Sequence, residues 1–461
     1  MTRSTLVGAA LVLGWVFSAL AQAFEPPDSP ADSPPKDQQK LKLPDLAALE
    51  KRGANNTYLA RLRLLRGELD RFQDDRNWRN VLQQMIATEY SFVGRCQRAY
   101  ESFDARVGSS SGGTGTTPPP TFADYQPLNA VDTIVELADR HQVIMINEAH
   151  HVPLHRAFTL QLLESLYQKG FRYFAAETLT AKDPELQKRG YPTINTGFYT
   201  CEPIYADLVR TALRLGYQVV PYEHEPGMPQ PVVDEDPFAD EHLIEAQNAR
   251  EHGQAKNLYE RILRKDPRAK ILVHAGYAHI SKKPDTWEMN GKKGEIRFMA
   301  VAFRELTGIE PLSIDQTSMT ERSLSGRDSR IYRAAIEQGI VSDQAVVLRH
   351  RATSEWFTLS DVYDLMVIHP RSRYENGRPT WLALGGRRSP HAVRCDARPT
   401  SGESYLAQAF YKKEMGAEAL PVDQMEYTAD EPAPTLFLPR GEFCVRIIDQ
   451  RGAAIEEYTT H

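Results

Sequence analysis

The sequence predicts an α/β fold, with a mostly parallel sheet that carries helices on both faces. Between residues 122 and 320, apolar strand-like runs alternate with amphipathic helical stretches, which is the pattern of strand–helix–strand units. Before this region the apolar residues follow a helical period, and after about residue 321 the alternation gives way to short strand-like runs. The sheet is therefore expected to follow a helical segment and to precede a small mixed or β-rich unit.

The N-terminus has the features of a secretory signal peptide over residues 1–23. Arg3 supplies a positive charge, residues 6–20 are apolar, and Ala-Gln-Ala at residues 21–23 offers a small-residue cleavage site. The apolar run is short for a membrane span, and an uncleaved anchor is the alternative. Residues 24–43, rich in Pro, Asp and Ser, are expected to form a tether. We therefore expect an exported protein, periplasmic or secreted, with no membrane span after signal cleavage.

Composition and cysteine content limit the function classes. The chain has 461 residues, a formal net charge of −6 and no basic patch interleaved with aromatic residues, so no nucleic-acid partner is expected. None of the four cysteines belongs to a CxxC motif, which excludes the common zinc-knuckle and thioredoxin motifs. A disulfide between Cys395 and Cys444 is the favoured pairing, and free buried thiols are the alternative.

Residues 44–107 and 108–121 lead into the α/β region. Leucines at positions 59, 62, 64, 65 and 69 recur at steps of three and four residues, and residues 78–100 repeat the pattern. Two helices are expected, and their apolar stripe must bury against the next domain or a protein partner. Residues 108–121, rich in Gly, Ser, Thr and Pro, are expected to be a linker.

The elements of residues 122–320 follow one another in a regular order. Gly170 and Gly216 each stand where a helical stretch must stop, as glycines do at helix C-termini. The expected order is helix Leu128–Arg140, strand VIMIN, helix Pro153–Lys169, strand FRYFAA, helix Ile204–Leu215, strand YQVVPY, helix Glu241–Leu263, strand AKILVH, a helix near Met299–Leu306 and strand PLSID. In residues 321–461 the expected strands are AVVLRH, YDLMVIHP, TWLALGG and EFCVRIID, with a helix over Tyr405–Met415 between them.

Each of the five strands of the α/β region ends on an acid or a histidine. These residues are Glu148, His150 and His151 at the first strand, Glu177 at the second, Glu223, His224 and Glu225 at the third, His274 and His279 at the fourth, and Asp315 at the fifth. One such residue is commonly a helix cap, but capping does not explain five strand ends together. Ligands of parallel sheets bind at the carboxyl ends of the strands, so these side chains predict one shared cleft.

The residue types indicate a division of roles within this cleft. The candidate catalytic residues are Glu148, His150, His151, Glu177, His274 and His279. The candidate substrate-binding residues are His155, Arg156, Tyr222, Glu223 and Tyr277. If a metal is bound, its candidate ligands are His150, His274 and His279, and histidines with carboxylates suit Zn²⁺ or Mn²⁺. No GxSxG motif lies between a strand and a helix, so water rather than a serine is the expected nucleophile.

The stretches NEAHHVPLHR, FRYFAAET and HAGYAHI resemble the erythromycin esterase/ChaN-like superfamily, also called the haem-binding uptake/Tiki group. The resemblance covers residues 125–320. The signature Gly-Glu-x-His, followed by Pro and His, stands here as Asn147-Glu148-Ala149-His150, with Pro153 and His155. The esterase branch spaces its histidine to match His151 instead, so both histidines remain candidates. A lipid anchor is not expected, because no cysteine stands at the cleavage site.

The resemblance implies the fold more firmly than the reaction, because the superfamily includes metal-independent esterases, Tiki-type metal-dependent proteases and haem-binding lipoproteins. We expect an exported hydrolase in which a His/Glu-activated water, with or without a metal, attacks an ester, lactone or amide bond of a small-molecule or peptide substrate. The alternative is a haem- or metal-binding protein without catalysis, with haem iron held by His150, His155, His274 or Tyr277. A scaffold built on the flanking units is a third class.

Overall fold

The computed structural model describes residues 58–106, 120–224, 242–289 and 292–461. Its helices are α1 Tyr58–Arg71, α2 Arg76–Phe92, α3 Cys96–Asp104, α4 Ala130–Leu137, α5 Pro153–Gln168, α6 Leu186–Arg189, α7 Pro203–Leu215, α8 Leu243–Leu258, α9 Met299–Thr307 and α10 Arg330–Glu337. Its strands are β1 Tyr125–Asn129, β2 Val143–Glu148, β3 Phe171–Ala176, β4 Gln218–Pro221, β5 Lys270–Gly276, β6 Asp285–Met289, β7 Lys292–Ile296, β8 Leu312–Asp315, β9 Val346–His350, β10 Leu365–Met366, β11 Tyr374–Glu375, β12 Arg378–Pro379, β13 Ser389–Ala392, β14 Ser404–Tyr411, β15 Asp423–Thr428, β16 Thr435–Leu438, β17 Phe443–Ile448 and β18 Ala454–Thr460. The expected signal peptide, the tether, the linker up to residue 119 and Glu225 lie outside the described ranges.

Six parallel strands form the central sheet, in the order β10-β8-β2-β5-β3-β4. All five strands expected from residues 122–320 take part, which confirms the predicted α/β fold. The sixth, Leu365–Met366, comes from the segment that the sequence placed in the C-terminal unit. Because the strands are parallel, their carboxyl ends lie at one edge of the sheet, where the acids and histidines were expected to meet.

Helices cover both faces of the sheet, and β2 shows the reason in its sequence. Ile144 and Ile146 belong to an apolar core that includes residues of α4, α5 and α7. Val143 and Met145 belong to a second core with residues of α8 and α9. A strand buried on both faces needs an apolar residue at every position, and the run VIMI supplies one.

The described residues 58–106 form three helices, where the sequence predicted two over residues 44–107. α1 and α2 enclose an ion pair between Arg61 and Glu89, with 2.6 Å between Nε and Oε1. α3 lies against the loop that follows β2, where Tyr100 shares an apolar cluster with Val152 and Leu154. Leucines of α1 join the core formed by α4, α5 and α7, so the apolar stripe is buried against the same chain.

The C-terminal unit is built mainly of antiparallel strands, and two predictions for it are wrong. The segment expected as a helix over Tyr405–Met415 forms β14 and a short turn, Lys412–Glu414. β14 pairs with β15 on one side and β17 on the other, and these backbone hydrogen bonds outweigh the helical propensity of its alanines and Leu406. The expected strand TWLALGG forms a tight helical turn, Thr380–Gly386, in which Leu384 and Gly385 have positive φ angles.

Two further expectations concern the disulfide bond and the membrane span. All four cysteines are free thiols, so the expected pairing of Cys395 with Cys444 is not formed. The Cys395 sulfur lies 3.2 Å from the hydroxyl of Tyr427 instead. Within the described ranges, no helix combines the length and the apolar character that crossing a bilayer requires.

Candidate functional site

Glu148, the last residue of β2, is the centre of a buried cluster of charged side chains. Arg156 donates to both carboxylate oxygens, from Nε to Oε2 at 2.6 Å and from Nη2 to Oε1 at 2.8 Å. His150 Nδ1 lies 2.9 Å from Oε1, and His274 Nε2 lies 2.9 Å from Oε2. Burial alone would raise the pKa of Glu148, but Arg156 and the two histidines hold it well below its usual range. Glu148 is therefore an ionised carboxylate that orients two imidazole rings.

The loop between β2 and α5 closes on itself and brings these groups together. Pro153 occupies the first position of α5, which places Arg156 in the first turn of the helix, facing back towards Glu148. Arg156 also donates to the carbonyl of His150, at 2.8 Å, and the Ala149 N–H donates to His155 Nδ1 at 3.0 Å. Arg156 and His155, expected to bind substrate, are thus occupied in holding the loop.

Glu177, directly after β3, belongs to a second buried cluster around Arg250 of α8. Arg250 Nη2 lies 2.8 Å from Glu177 Oε1 and 2.7 Å from Glu223 Oε2. His279 lies between Glu251, 2.8 Å from Nδ1, and Glu177, 3.5 Å from Nε2. Burial lowers the pKa of His279, but the Glu251 and Glu177 carboxylates outweigh burial and raise it to about 10. These carboxylates favour the protonated form of His279. Arg250 Nη1 lies 3.2 Å from Nε2, a contact in which the guanidinium group can donate only to an unprotonated nitrogen.

Gly276, the last residue of β5, is where the two clusters meet. Its N–H donates to Glu177 Oε2 at 2.5 Å. A Cβ at this position would lie 2.8 Å from His150 Nε2 and 2.9 Å from Glu177 Oε2. The Nε2 edge of His150 and the Glu177 carboxylate therefore approach the same point, and only glycine leaves them the room.

We expect Gly276→Ala to displace His150 and Glu177. The added methyl group would lie 2.5 Å from His150 Cε1, far inside van der Waals contact, so the ring or the carboxylate must move. Overpacking of this kind costs about 1–3 kcal/mol, which denaturant titration would measure. The control is Gly67→Ala in α1, where a Cβ meets nothing within 4 Å and alanine should stabilise the helix by about 0.5–1 kcal/mol. A Gly276→Ala variant as stable as the parent would contradict the close approach at Gly276.

Two tyrosines enclose His150. Tyr199 stacks on the imidazole, with ring centroids 4.0 Å apart and 16° between the planes, and Tyr277 meets it edge-on at 5.0 Å. Tyr277 has a φ of 41°, a left-handed conformation that non-glycine residues rarely adopt. His150 is 4% exposed. The imidazole is therefore almost inaccessible to solvent, with one tyrosine ring on its face and another at its edge.

Other expected site residues point elsewhere. His151 stacks on Phe103 of α3 with 3.6 Å between ring centroids, and in the described part of the chain its buried Nδ1 has no hydrogen-bond partner. Tyr222 donates its hydroxyl to the carbonyl of His274 at 3.2 Å. Asp315 accepts from Asn147 Nδ2 at 2.8 Å, which ties β8 to β2. The structure thus brings His150, and not His151, to Glu148.

The sequence reasoning missed Arg250, Glu251 and Glu202. Arg250 and Glu251 lie inside α8, whose expected role was only to cover the sheet. The sequence contains little indication of their place in the site, since one charged pair in a helix usually faces water. Glu202 accepts from the Ile204 and Tyr205 N–H groups at 2.9 and 2.8 Å, and lies 3.3 Å from Arg156. An acid before a proline at a helix start is a capping signal, but it does not reveal the contact with Arg156.

The three expected metal ligands are divided between the two clusters. His274 uses both ring nitrogens, since Nε2 contacts Glu148 and Nδ1 lies 3.2 Å from the hydroxyl of Thr159. His279 directs Nδ1 at Glu251. Among the described residues, no group of three or more His, Cys, Asp or Glu side chains is arranged to hold a metal ion.

Comparisons with known proteins return little. No family model matches the chain, and no curated protein matches it. A structure described as "The structure of the type III effector HopBA1" shares 17% identity at a TM-score of 0.28, over 44% of this chain and 91% of that one. Another, described as "Bacterial protein toxins", shares 12% identity at a TM-score of 0.29, over 54% of this chain and 47% of that one. Neither likeness carries a functional argument.

Proposed function

We propose that the protein is a hydrolase in which His150 activates water for attack on an ester, lactone or amide bond of a small molecule or peptide. The observation that carries the proposal is the pair formed by Glu148 and His150. A buried, ionised carboxylate lies 2.9 Å from Nδ1, and the Nε2 edge of the ring is turned towards Gly276 and Glu177. A carboxylate in this position fixes the tautomer and orientation of a general base.

The neighbouring groups take complementary roles in the proposed reaction. With the proton of Nδ1 held by Glu148, Nε2 takes a proton from water and returns it to the leaving group. His279, whose pKa is about 10, supplies positive charge for the oxygen that becomes negative in the transition state. Glu177, which accepts from the Gly276 N–H, positions the water beside His150.

The proposal also concerns how a substrate reaches His150 and where in the cell the protein acts. Tyr199 and Tyr277 must swing away from His150 to admit the substrate, and their return would exclude bulk water during the reaction. The proposed compartment is the periplasm or the exterior of the cell, because residues 1–23 have the features of a signal peptide.

Haem binding without catalysis is the other function that the sequence resemblance implies, and no described contact favours it. A haem ligand needs an available ring nitrogen or hydroxyl. Both ring nitrogens of His274 are engaged, and His155 Nδ1 accepts from the Ala149 N–H, which leaves the ring proton on Nε2, a buried atom without a hydrogen-bond partner among the described residues. The Glu148–His150 pair serves acid–base chemistry more directly, so hydrolysis remains the proposed function.

We expect the full chain to hydrolyse at least one of p-nitrophenyl acetate, γ-thiobutyrolactone and fluorescently labelled casein, and His150→Gln to lower turnover by about 10³- to 10⁴-fold. The glutamine can still donate to Glu148, so the Glu148–Arg156 pair and the fold are retained. The matched control is His151→Gln, the same change at a ring that stacks on Phe103. Absence of turnover on all three substrates, or equal turnover in the parent and His150→Gln, would reject the proposal.

A further inference from the structure

A cavity of about 850 Å³ lies between the α/β region and the C-terminal unit. α5 and α7 form one wall, and the turn after Leu384, β13 and the turn between β16 and β17 form the other. The cavity shares no lining residue with the candidate site. Its volume is in the range of small-molecule sites, which occur preferentially where two units meet.

The lining side chains carry more positive than negative charge, with four arginines and two acids. The charged side chains are Arg214, Arg387, Arg388, Arg440, Glu164 and Asp207. Asp207 pairs with Arg388 at 2.6 Å, whereas Glu164 and Arg387 form a half-exposed pair at 3.4 Å, which contributes little. Within the described ranges, neither Arg214 nor Arg440 forms an ion pair. Two guanidinium groups are therefore available to an anion.

The wall also contains buried nitrogens that the chain itself does not satisfy. Arg388 is 2% exposed, and its two terminal nitrogens contact Asp207 and the carbonyl of Val422, at 2.6 and 3.1 Å. Its Nε, and Nε2 of His391, are buried without a hydrogen-bond partner in the part of the chain that the structure describes. These two nitrogens have almost no accessible surface, so a ligand in the cavity would contact the exposed guanidinium groups of Arg214 and Arg440 instead.

We propose that this cavity binds a small organic phosphate ester. A phosphate monoester carries a charge of about −1.5 to −2 near neutral pH, which balances the guanidinium groups of Arg214 and Arg440. Arginine recognises phosphate oxygens through paired N–H donors. Because the cavity is larger than a phosphate ion requires, the organic part of the ligand lies against Leu215, Leu384 and Phe443. The inference does not depend on the proposed hydrolysis.

Calorimetric titration of the full chain with phenyl phosphate, beside inorganic phosphate, tests this site. We expect saturable one-to-one binding of phenyl phosphate, tighter than that of inorganic phosphate. Arg214→Gln combined with Arg440→Gln should weaken it by roughly tenfold or more, since charge-assisted hydrogen bonds are lost. The matched control is Arg63→Gln combined with Arg66→Gln, which removes two exposed arginines of α1 and the same total charge.

Three outcomes would overturn the proposal. The first is the absence of saturable binding of phenyl phosphate. The second is an equal loss of affinity in both double variants, which would indicate a general effect of charge. The third is inorganic phosphate that binds as tightly as phenyl phosphate, because the organic part would then contribute nothing.

Discussion

Glu148→Gln is expected to lower the free energy of unfolding by about 3 kcal/mol and to remove the proposed hydrolysis. Arg156 is fully buried and faces Glu148 with two hydrogen bonds. Neutralising the acid leaves a buried cation without its main partner, a change that costs about 3–5 kcal/mol in proteins. Glu202, 3.3 Å from Arg156 Nη1, would still offset part of the positive charge of Arg156. We therefore expect a loss of stability at the lower end of this range. The same change releases the rings of His150 and His274.

Denaturant titration of the parent and variants would measure this loss. The matched control is Glu164→Gln, which breaks the half-exposed pair with Arg387 and should change stability by less than about 0.5 kcal/mol. Combining Glu148→Gln with Arg156→Met should recover part of the loss, because the buried cation is removed as well. Full stability of Glu148→Gln would show that Arg156 does not depend on Glu148 for its charge balance.

Lowering the pH from about 7 to about 5 is expected to destabilise the fold steeply, because three buried histidines are neutral within it. Burial lowers the pKa of His151 and His155 well below 6.5, and it lowers that of His369 to about 3. The unfolded chain takes up these protons near pH 6.5, whereas the folded chain does not. Below pH 6.5 each residue therefore removes up to about 1.4 kcal/mol of stability per pH unit.

Other titrating groups of the site act in different pH windows. The pKa of His279 is raised to about 10, so its contribution is fully present below pH 6.5 and is lost only as the pH rises towards 10. The pKa values of Glu148 and Glu177 are held below 4.5, so their contributions are lost only as the pH falls below that value. Between pH 4.5 and 6.5 the buried neutral histidines destabilise the fold as the pH falls, whereas Glu202 and Glu321, whose pKa values burial raises, act in the opposite direction.

His369→Gln tests this assignment. The ring of His369 contacts Gln316 through Nε2 at 3.1 Å, and a glutamine amide can keep a hydrogen bond there without taking up a proton. We expect the variant to lose less stability between pH 7 and pH 5 than the parent, by up to about 1.4 kcal/mol per pH unit below pH 6.5. The control is His252→Gln, at an exposed position of α8, and its stability should change with pH as that of the parent does. If the stability of His369→Gln falls as steeply with pH as that of the parent, His369 does not contribute to the pH dependence.

Much of the sheet and its polar edge could be predicted because short segments of the sequence determine these features. The run VIMI is apolar at every position, as a strand with a core on each face must be. Parallel pairing then places the carboxyl ends of five predicted strands at one edge. That is why the sequence pointed to Glu148, His150 and His274 as neighbours, although His274 lies more than a hundred residues beyond the other two.

The C-terminal unit shows where short segments mislead. Residues 405–415 contain alanines, glutamine and lysines that suit a helix, and nothing within the segment opposes one. In the folded chain β15 and β17 lie on either side of it and bond its backbone as a strand. Partners that are far apart in sequence decided the structure there, and a local pattern cannot report them.

The sequence by itself determined the α/β class, the five strands and the presence of a cluster of acids and histidines at their ends, because apolar periodicity and residue type are local properties. Only the tertiary structure decided which residues act together. His150 and His151 are adjacent and chemically identical, yet one contacts Glu148 and the other stacks on Phe103 of a preceding helix. Arg250, supplied by α8, completes the second cluster from the other face of the sheet. These contacts depend on the packing of distant segments, and packing is a property of the whole fold.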